Sequence, residues 1–217
     1  MTEQVSQAQP VPRSLFALAV FYGGMVCIAG VLANKQVALG PLAVEAGIFA
    51  FLMLVTTSSA VAELHGRDAA NRLVMLGFVP LIASVLLTLL VLVSPPSHDM
   101  PADRLTAFNT MMTSTPRIWI GGIIAYGVST LLNVTIFSRL KEYGRANMLW
   151  LRAGVASILS QIVDTLLFIT ISFYGVFPIG NLLVGQMLAK VVLSAILVPW
   201  LIYVFVAIGK RLDSAPE

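Results

Sequence analysis

Charge is what this sequence has least of. Only 11% of its 217 residues are Asp, Glu, Lys or Arg, where a water-soluble domain carries about a quarter. So few ionic groups cannot cover a globular surface with side chains that water solvates, and an ordinary soluble domain is excluded. Cysteine is nearly absent: Cys27 stands alone, cannot close an intrachain disulfide, and lies in an apolar run where its plain reading is a small buried side chain. The histidines are His65 and His98, both read as loop residues, so a zinc site or a Ser-His dyad between helices lacks its parts. No Gly-rich Lys motif that cradles phosphate occurs, which excludes built-in ATP hydrolysis. No block of like charge points to nucleic acid. The expectation is therefore no metal, no cofactor and no enzymatic chemistry.

What the chain does have is apolar length. Hydrophobic residues make up 58% of it and the mean hydropathy is +0.92, which describes a membrane protein. At roughly 20 residues per crossing there is room for six transmembrane helices and no soluble catalytic domain. The fold class expected is an all-α membrane protein: a flexible N-terminal tail over residues 1–13, a single six-helix domain over 14–209, and a C-terminal tail over 210–217. The spans read as Ser14 to Ala33, Leu39 to Glu63 opened by Gly40-Pro41, Leu73 to Val93 stopped by Ser94-Pro95-Pro96, Arg117 to Phe137, Leu149 to Tyr174, and Asn181 to Gly209 after a tight turn from Gly175 to Gly180. Between the third and fourth spans, Asp103 to Met112 has the pattern of a short amphipathic helix at the interface.

Basic residues set the expected orientation. With the N-terminus in the cytoplasm, nine Lys or Arg fall on inside segments against three on outside segments, Lys35, Arg104 and Arg117, so both termini are expected inside. The segment RLKEYGRANMLWLR is read as part of that signal and nothing chemical. Three spans in each half would make any internal duplication a 3+3 inverted repeat. The leucine- and valine-rich third span suits lipid or a second copy equally, and a homodimer is expected on that ground.

An ionised side chain inside a span costs about 3 kcal/mol on insertion scales, so the few present are the most informative residues. They are Glu45, Asp164 and Lys190. Asp164 lies roughly 15 Å and Lys190 roughly 13 Å from the same side of the membrane at 1.5 Å per residue, on spans joined by a short turn, so the two charges can meet. Polar residues accompany them: Ser157, Ser160, Gln161 and Asp164 share one face, Gln186, Lys190 and Ser194 recur every fourth residue, and Glu45, Thr56, Ser59 and Glu63 are read as one stripe of the second span. The pair could fix helix register alone, as Ser and Gln also do, or three polar stripes could enclose a cavity for a small solute. Asn34 and Lys35 read equally as a helix end near water, Asn133 as a helix-helix hydrogen bonder, and Phe168 and Phe173 as packing or as stacking surfaces.

The runs NKQVALGPLAVEAGIFAFLMLVTTSSAVAELHGRDAANRLVMLGF and RLKEYGRANMLWLRAGVASILSQIVDTLLFITISFYG resemble the queuosine precursor transporter family, also grouped as vitamin uptake transporters. The E-x-x-G end of the second span paired with Q-x-x-D-T-x-x-F in the fifth carries the likeness. It implies a multi-pass importer in a bacterial inner membrane that takes up 7-deazaguanines such as 7-cyano-7-deazaguanine and its aminomethyl relative. Matched residue by residue, it implies substrate roles for Asn34, Glu63, Gln161, Asp164 and Lys190, beside Glu45 and Gln186 from the polar stripes. Ser59 stands where many members carry an acid. A substrate-binding subunit that borrows an external ATPase, and a membrane-embedded enzyme, are the competing readings.

Overall fold

The computed structural model describes residues 11–39, 42–113, 116–143, 148–175 and 179–214. Seven helices and one hairpin make up these residues: α1 (Arg13–Leu32), β1 (Gln36–Leu39), β2 (Leu42–Glu45), α2 (Gly47–His65), α3 (Arg67–Val93), α4 (Ala102–Met112), α5 (Pro116–Tyr143), α6 (Leu149–Phe173) and α7 (Gly180–Ser214). All but α4 are long and apolar enough to cross a membrane, which gives six candidate spans among the described residues. The chain is a multi-pass helical membrane protein.

Several boundaries move. The second span does not begin at Leu39: β1 and β2 pair antiparallel, with Gln36 opposite Glu45 and Leu39 opposite Leu42. The Ala46 amide continues the ladder by donating to the Lys35 carbonyl at 2.8 Å. Val37, Leu39, Leu42 and Val44 alternate with the period of a strand, and a Gly-Pro pair carries neither helix propensity nor, at the proline, an amide for a helical bond. Gly40-Pro41 itself lies outside the described residues, as do residues 176–178 of the 175–180 turn, residues 1–10 and the last three residues. Downstream, α3 starts at Arg67 rather than Leu73 because Gly66, at φ 87°, ends α2 in a conformation that favours glycine and the chain re-enters a helix at once. At the far end of the chain α7 continues to Ser214, so the segment read as a C-terminal tail is largely helix. The expected short helix between the third and fourth spans is α4.

The arrangement follows from which helices hide their faces. In α2, 67% of the apolar window is buried, against 6% in α3. α2 is therefore the central post, packed against α1, α3, α5, α6 and α7, while α3 turns Met75, Leu76, Val79, Leu86, Leu87 and Leu90 outward. Close approach among α1, α3 and α5 depends on Gly77. A methyl group there would lie 2.1 Å from the Tyr126 hydroxyl oxygen and 2.8 Å from the Tyr22 ring. The tyrosines fill the space glycine leaves, Tyr126 donating to Tyr22 at 3.0 Å.

Both ends of the described bundle come together on one side, as an even number of crossings requires. Ser14, at the start of α1, donates its amide and its hydroxyl to Asp213 of α7 at 2.9 and 2.6 Å. Its hydroxyl oxygen also sits 2.6 Å from His65 Nε2. We call this the termini end, and the opposite side the hairpin end.

Candidate functional site

A cavity of about 390 Å³ opens from the hairpin end and is lined by the hairpin-side halves of α1, α2, α3, α5, α6 and α7, with Met111 and Met112 of α4 at its rim. Most of its wall is apolar: Val26, Ile48, Phe51, Leu81, Ile123 and Phe168 are typical. The only ionisable carboxylate and ammonium that reach it among the described residues are Asp164 and Lys190.

The two meet as the depth arithmetic requires. Lys190 Nζ lies 2.8 Å from Asp164 Oδ2, each side chain 8% exposed. Both are thus largely out of water, where an ion pair persists only if its remaining bonding capacity is also met. Asp164 Oδ1 faces Ser129 Oγ of α5 at 3.2 Å, although that hydroxyl also lies 2.5 Å from the Ala125 carbonyl of its own helix and has one proton to give. Asp164 is therefore one competing donor short of full satisfaction. Lys190 Nζ stands 5.9 Å from the centre of the Phe51 ring, near the limit of a cation–π contact. Above the pair, Phe168 and Phe173 meet edge to face at 5.9 Å, and with Trp119 they give the cavity aromatic surfaces.

The other candidate residues separate. Asn34 lines the mouth, but its amide donates to the Gly30 and Val31 carbonyls at 3.0 and 3.3 Å and so finishes α1. That is the helix-end role. Glu45 is not on α2: it closes β2 opposite Gln36, so the stripe that joined it to Thr56, Ser59 and Glu63 does not exist, and its side chain lies outside the described residues. Glu63 lies at the termini end, away from the cavity. Its Oε2 pairs with Lys141 Nζ at 3.1 Å and with Arg152 at 3.3 Å, while Lys141 also donates to the Glu63 carbonyl at 2.9 Å. The segment assigned only to orientation thus supplies both partners of a carboxylate. Arg152 is itself buried and stacks 5.3 Å over Phe137. Gln161 is fully buried below the floor, and Gln186 is buried on α7 one turn from Lys190; neither lines the cavity.

Two further expectations change. His65 is the last residue of α2 rather than a loop residue, and it does meet a serine. Because the Ser14 proton goes to Asp213, His65 Nε2 is the donor in that contact, the reverse of what a general base needs. Asn133, by contrast, is the helix bonder expected, its amide nitrogen 3.2, 3.2 and 3.0 Å from Val55 O, Ser58 Oγ and Ser59 Oγ. Sequence reasoning missed Ser129 and Phe51 as neighbours of the ion pair. Ser129 falls four residues before Asn133, the one helical signal that could have singled it out.

Residues 45–204 match a family model described as "Putative vitamin uptake transporter". This chain belongs to the vitamin uptake transporter family. The transporter is 28% identical over 193 residues to the "Probable queuosine precursor transporter" of Bacillus subtilis strain 168, covering 84% of this chain and 81% of that protein. It is 24% identical over 164 residues to the "Queuosine precursor transporter" of Escherichia coli K12, covering 75% of this chain and 70% of that protein. No solved structure matches it. The family is one of transporters rather than enzymes.

Proposed function

We propose that this transporter imports queuosine precursors, 7-cyano-7-deazaguanine or 7-aminomethyl-7-deazaguanine, across the inner membrane of a bacterial cell, with the termini end in the cytoplasm and the cavity open to the outside. The Asp164–Lys190 pair at the floor of an otherwise apolar, aromatic-walled cavity carries the reading. A deazaguanine presents adjacent N–H donors on its pyrimidine edge, which one carboxylate accepts in bidentate fashion, and a ring carbonyl beside them that an ammonium can reach. Asp164 is the acceptor and Lys190 the donor. The two charges neutralise each other, and the solute replaces this one charge-assisted bond with several. The flat faces of Phe168, Phe173 and Trp119 suit a planar ring, and 390 Å³ falls within the range of about 300–1,000 Å³ usual for small-molecule sites. The names of the two bacterial relatives support the choice of solute.

The orientation rests on the excess of basic residues at the termini end. The exposed face of α3 is where we place the contact of a homodimer, and cross-linking in native membranes that yields monomer alone would remove that part of the reading. The transport reading is tested by uptake of labelled deazaguanine into cells that cannot make it, and then into vesicles reconstituted with this chain alone. Saturable uptake in both is expected. Uptake only in the presence of ATPase subunits would make the chain a binding subunit instead.

A further inference from the structure

One helical turn beyond the cavity floor, toward the termini end, the helices carry a second polar layer. The contacts of Asp164 with Ser129 and Lys190 set α5, α6 and α7 to one depth. Stepping one turn inward from each contact reaches Asn133 on α5, Gln161 on α6 and Ser194 on α7, because α6 runs antiparallel to the other two. Asn133 brings in α2 through Ser58 and Ser59, and Ser157 lies one turn further along α6. Gln161, Asn133 and Ser194 are 0% exposed and Ser157 is 1% exposed.

Polar atoms of these side chains are buried without partners. Both amide atoms of Gln161, the Asn133 oxygen and the Ser157 and Ser194 hydroxyls make no hydrogen bond within the described protein. Neighbouring hydroxyls show that relief was at hand: Thr56, Thr57, Thr130 and Thr165 each donate to the carbonyl one turn back on their own helix. Unmet polar groups in a membrane interior are costly, and an apolar side chain of like size would remove the cost. Helix register does not need them, since Asn133 already ties α5 to α2 through its nitrogen alone.

We infer that Gln161, Asn133, Ser194 and Ser157 form a second station for the solute, closed in this conformation, which it meets after leaving the ion pair and before release. This rests on the proposed transport of a planar heterocycle. The layer offers donors and acceptors together and contains no charge, which suits the edge of a neutral ring that both donates and accepts, and suits neither an anion nor a metal ion. Passage from a charged carboxylate to neutral amides and hydroxyls also weakens the hold on the solute as it advances. That ordering favours release on the far side.

The test uses the full chain with three readouts: binding of labelled deazaguanine to purified protein, uptake into cells unable to make it, and thermal unfolding in detergent. Gln161→Leu is expected to keep binding within about threefold, to lower uptake at least about tenfold, and to leave the unfolding temperature unchanged or raised. Ser194→Ala, which deletes one unpartnered hydroxyl, is expected to lower uptake about threefold with binding kept, and it decides the matter if Gln161→Leu does not insert. Uptake at the wild-type level in both variants overturns the inference, as does loss of stability in step with uptake, which would make the layer structural. Wild-type protein that takes up no deazaguanine fails the proposed function instead, so the two failures are told apart.

Discussion

In the proposed function Asp164 is the acceptor that holds the solute, and its neighbours define what a substitution does. Asparagine keeps the volume but replaces an acceptor oxygen with a donor, so it meets the solute's N–H edge with the wrong pattern and leaves the Lys190 ammonium buried without its counter-charge. Asp164→Asn is expected to weaken deazaguanine binding by about 10–100-fold, the equivalent of ~1.5–3 kcal/mol for a charge-assisted bond, while the protein still inserts. Equilibrium binding to purified protein checks it. The double variant Asp164→Asn with Lys190→Met separates binding from structure: an ion pair that only fixes register can be exchanged for neutral groups without loss. Normal transport by that double variant would remove Asp164 from the binding site. This pair was legible in the sequence because depth is a count of residues, and two antiparallel helices joined by a short turn share their depths. Glu63 was misplaced for a related reason: eighteen positions make five turns and restore the face, but they also travel roughly 27 Å along the axis, so a shared face is no evidence of a shared site.

At the scale of the element, apolar run length identified the spans and failed where the chain changed period inside one run. Leu39 to Glu63 reads as one span by hydropathy, yet its first seven residues hold the second half of a hairpin, and only the Gly-Pro interruption and the alternation of Val and Leu marked the change. The contact of Ser14 with Asp213 spans 199 positions, beyond the reach of any local signal. Gly77 belongs to the same class: nothing near it in the sequence announces that Tyr22 and Tyr126 need its missing side chain. Gly77→Ala is expected to destabilise the protein by about 1–3 kcal/mol, the usual cost of overpacking, read as a lower unfolding temperature in detergent. Tyr126→Phe should restore part of that loss, because it removes the hydroxyl oxygen that a Cβ would approach most closely. It should not restore all of it, since the Tyr22 ring also stands 2.8 Å from that Cβ and the contact between the tyrosines is lost. Full restoration would mean that the close approach of α3 to α5 is set elsewhere.

For the whole molecule, the two ends of the bundle differ in a way that defines a conformational state. The hairpin end holds an open cavity that reaches the ion pair, whereas the termini end is fastened by Ser14, His65 and Asp213 and by Glu63 with Lys141 and Arg152. A transporter that exposes its site to one side at a time must break these fastenings to open the other way. Cys27 reports on the change, because it lines the cavity and no other cysteine competes with it. In the state described it should react with a membrane-impermeant thiol reagent added outside the cell, and bound deazaguanine should slow the reaction. Labelling only from the cytoplasmic side would reverse the orientation. Glu63→Gln removes the charge that holds both Lys141 and Arg152. The Lys141 contact is half-exposed and contributes little, but Arg152 has a 5% exposed side chain, and a buried guanidinium without a counter-charge disfavours the closed end more strongly than a surface pair would. A loss of about 1 kcal/mol shifts a two-state population about fivefold. Glu63→Gln is therefore expected to slow Cys27 labelling, by up to about fivefold where the shut state already predominates, because the population moves toward the state in which the cavity is shut. An unchanged rate, with the protein inserted and folded, would mean that these ion pairs secure the helix ends and do not gate the path.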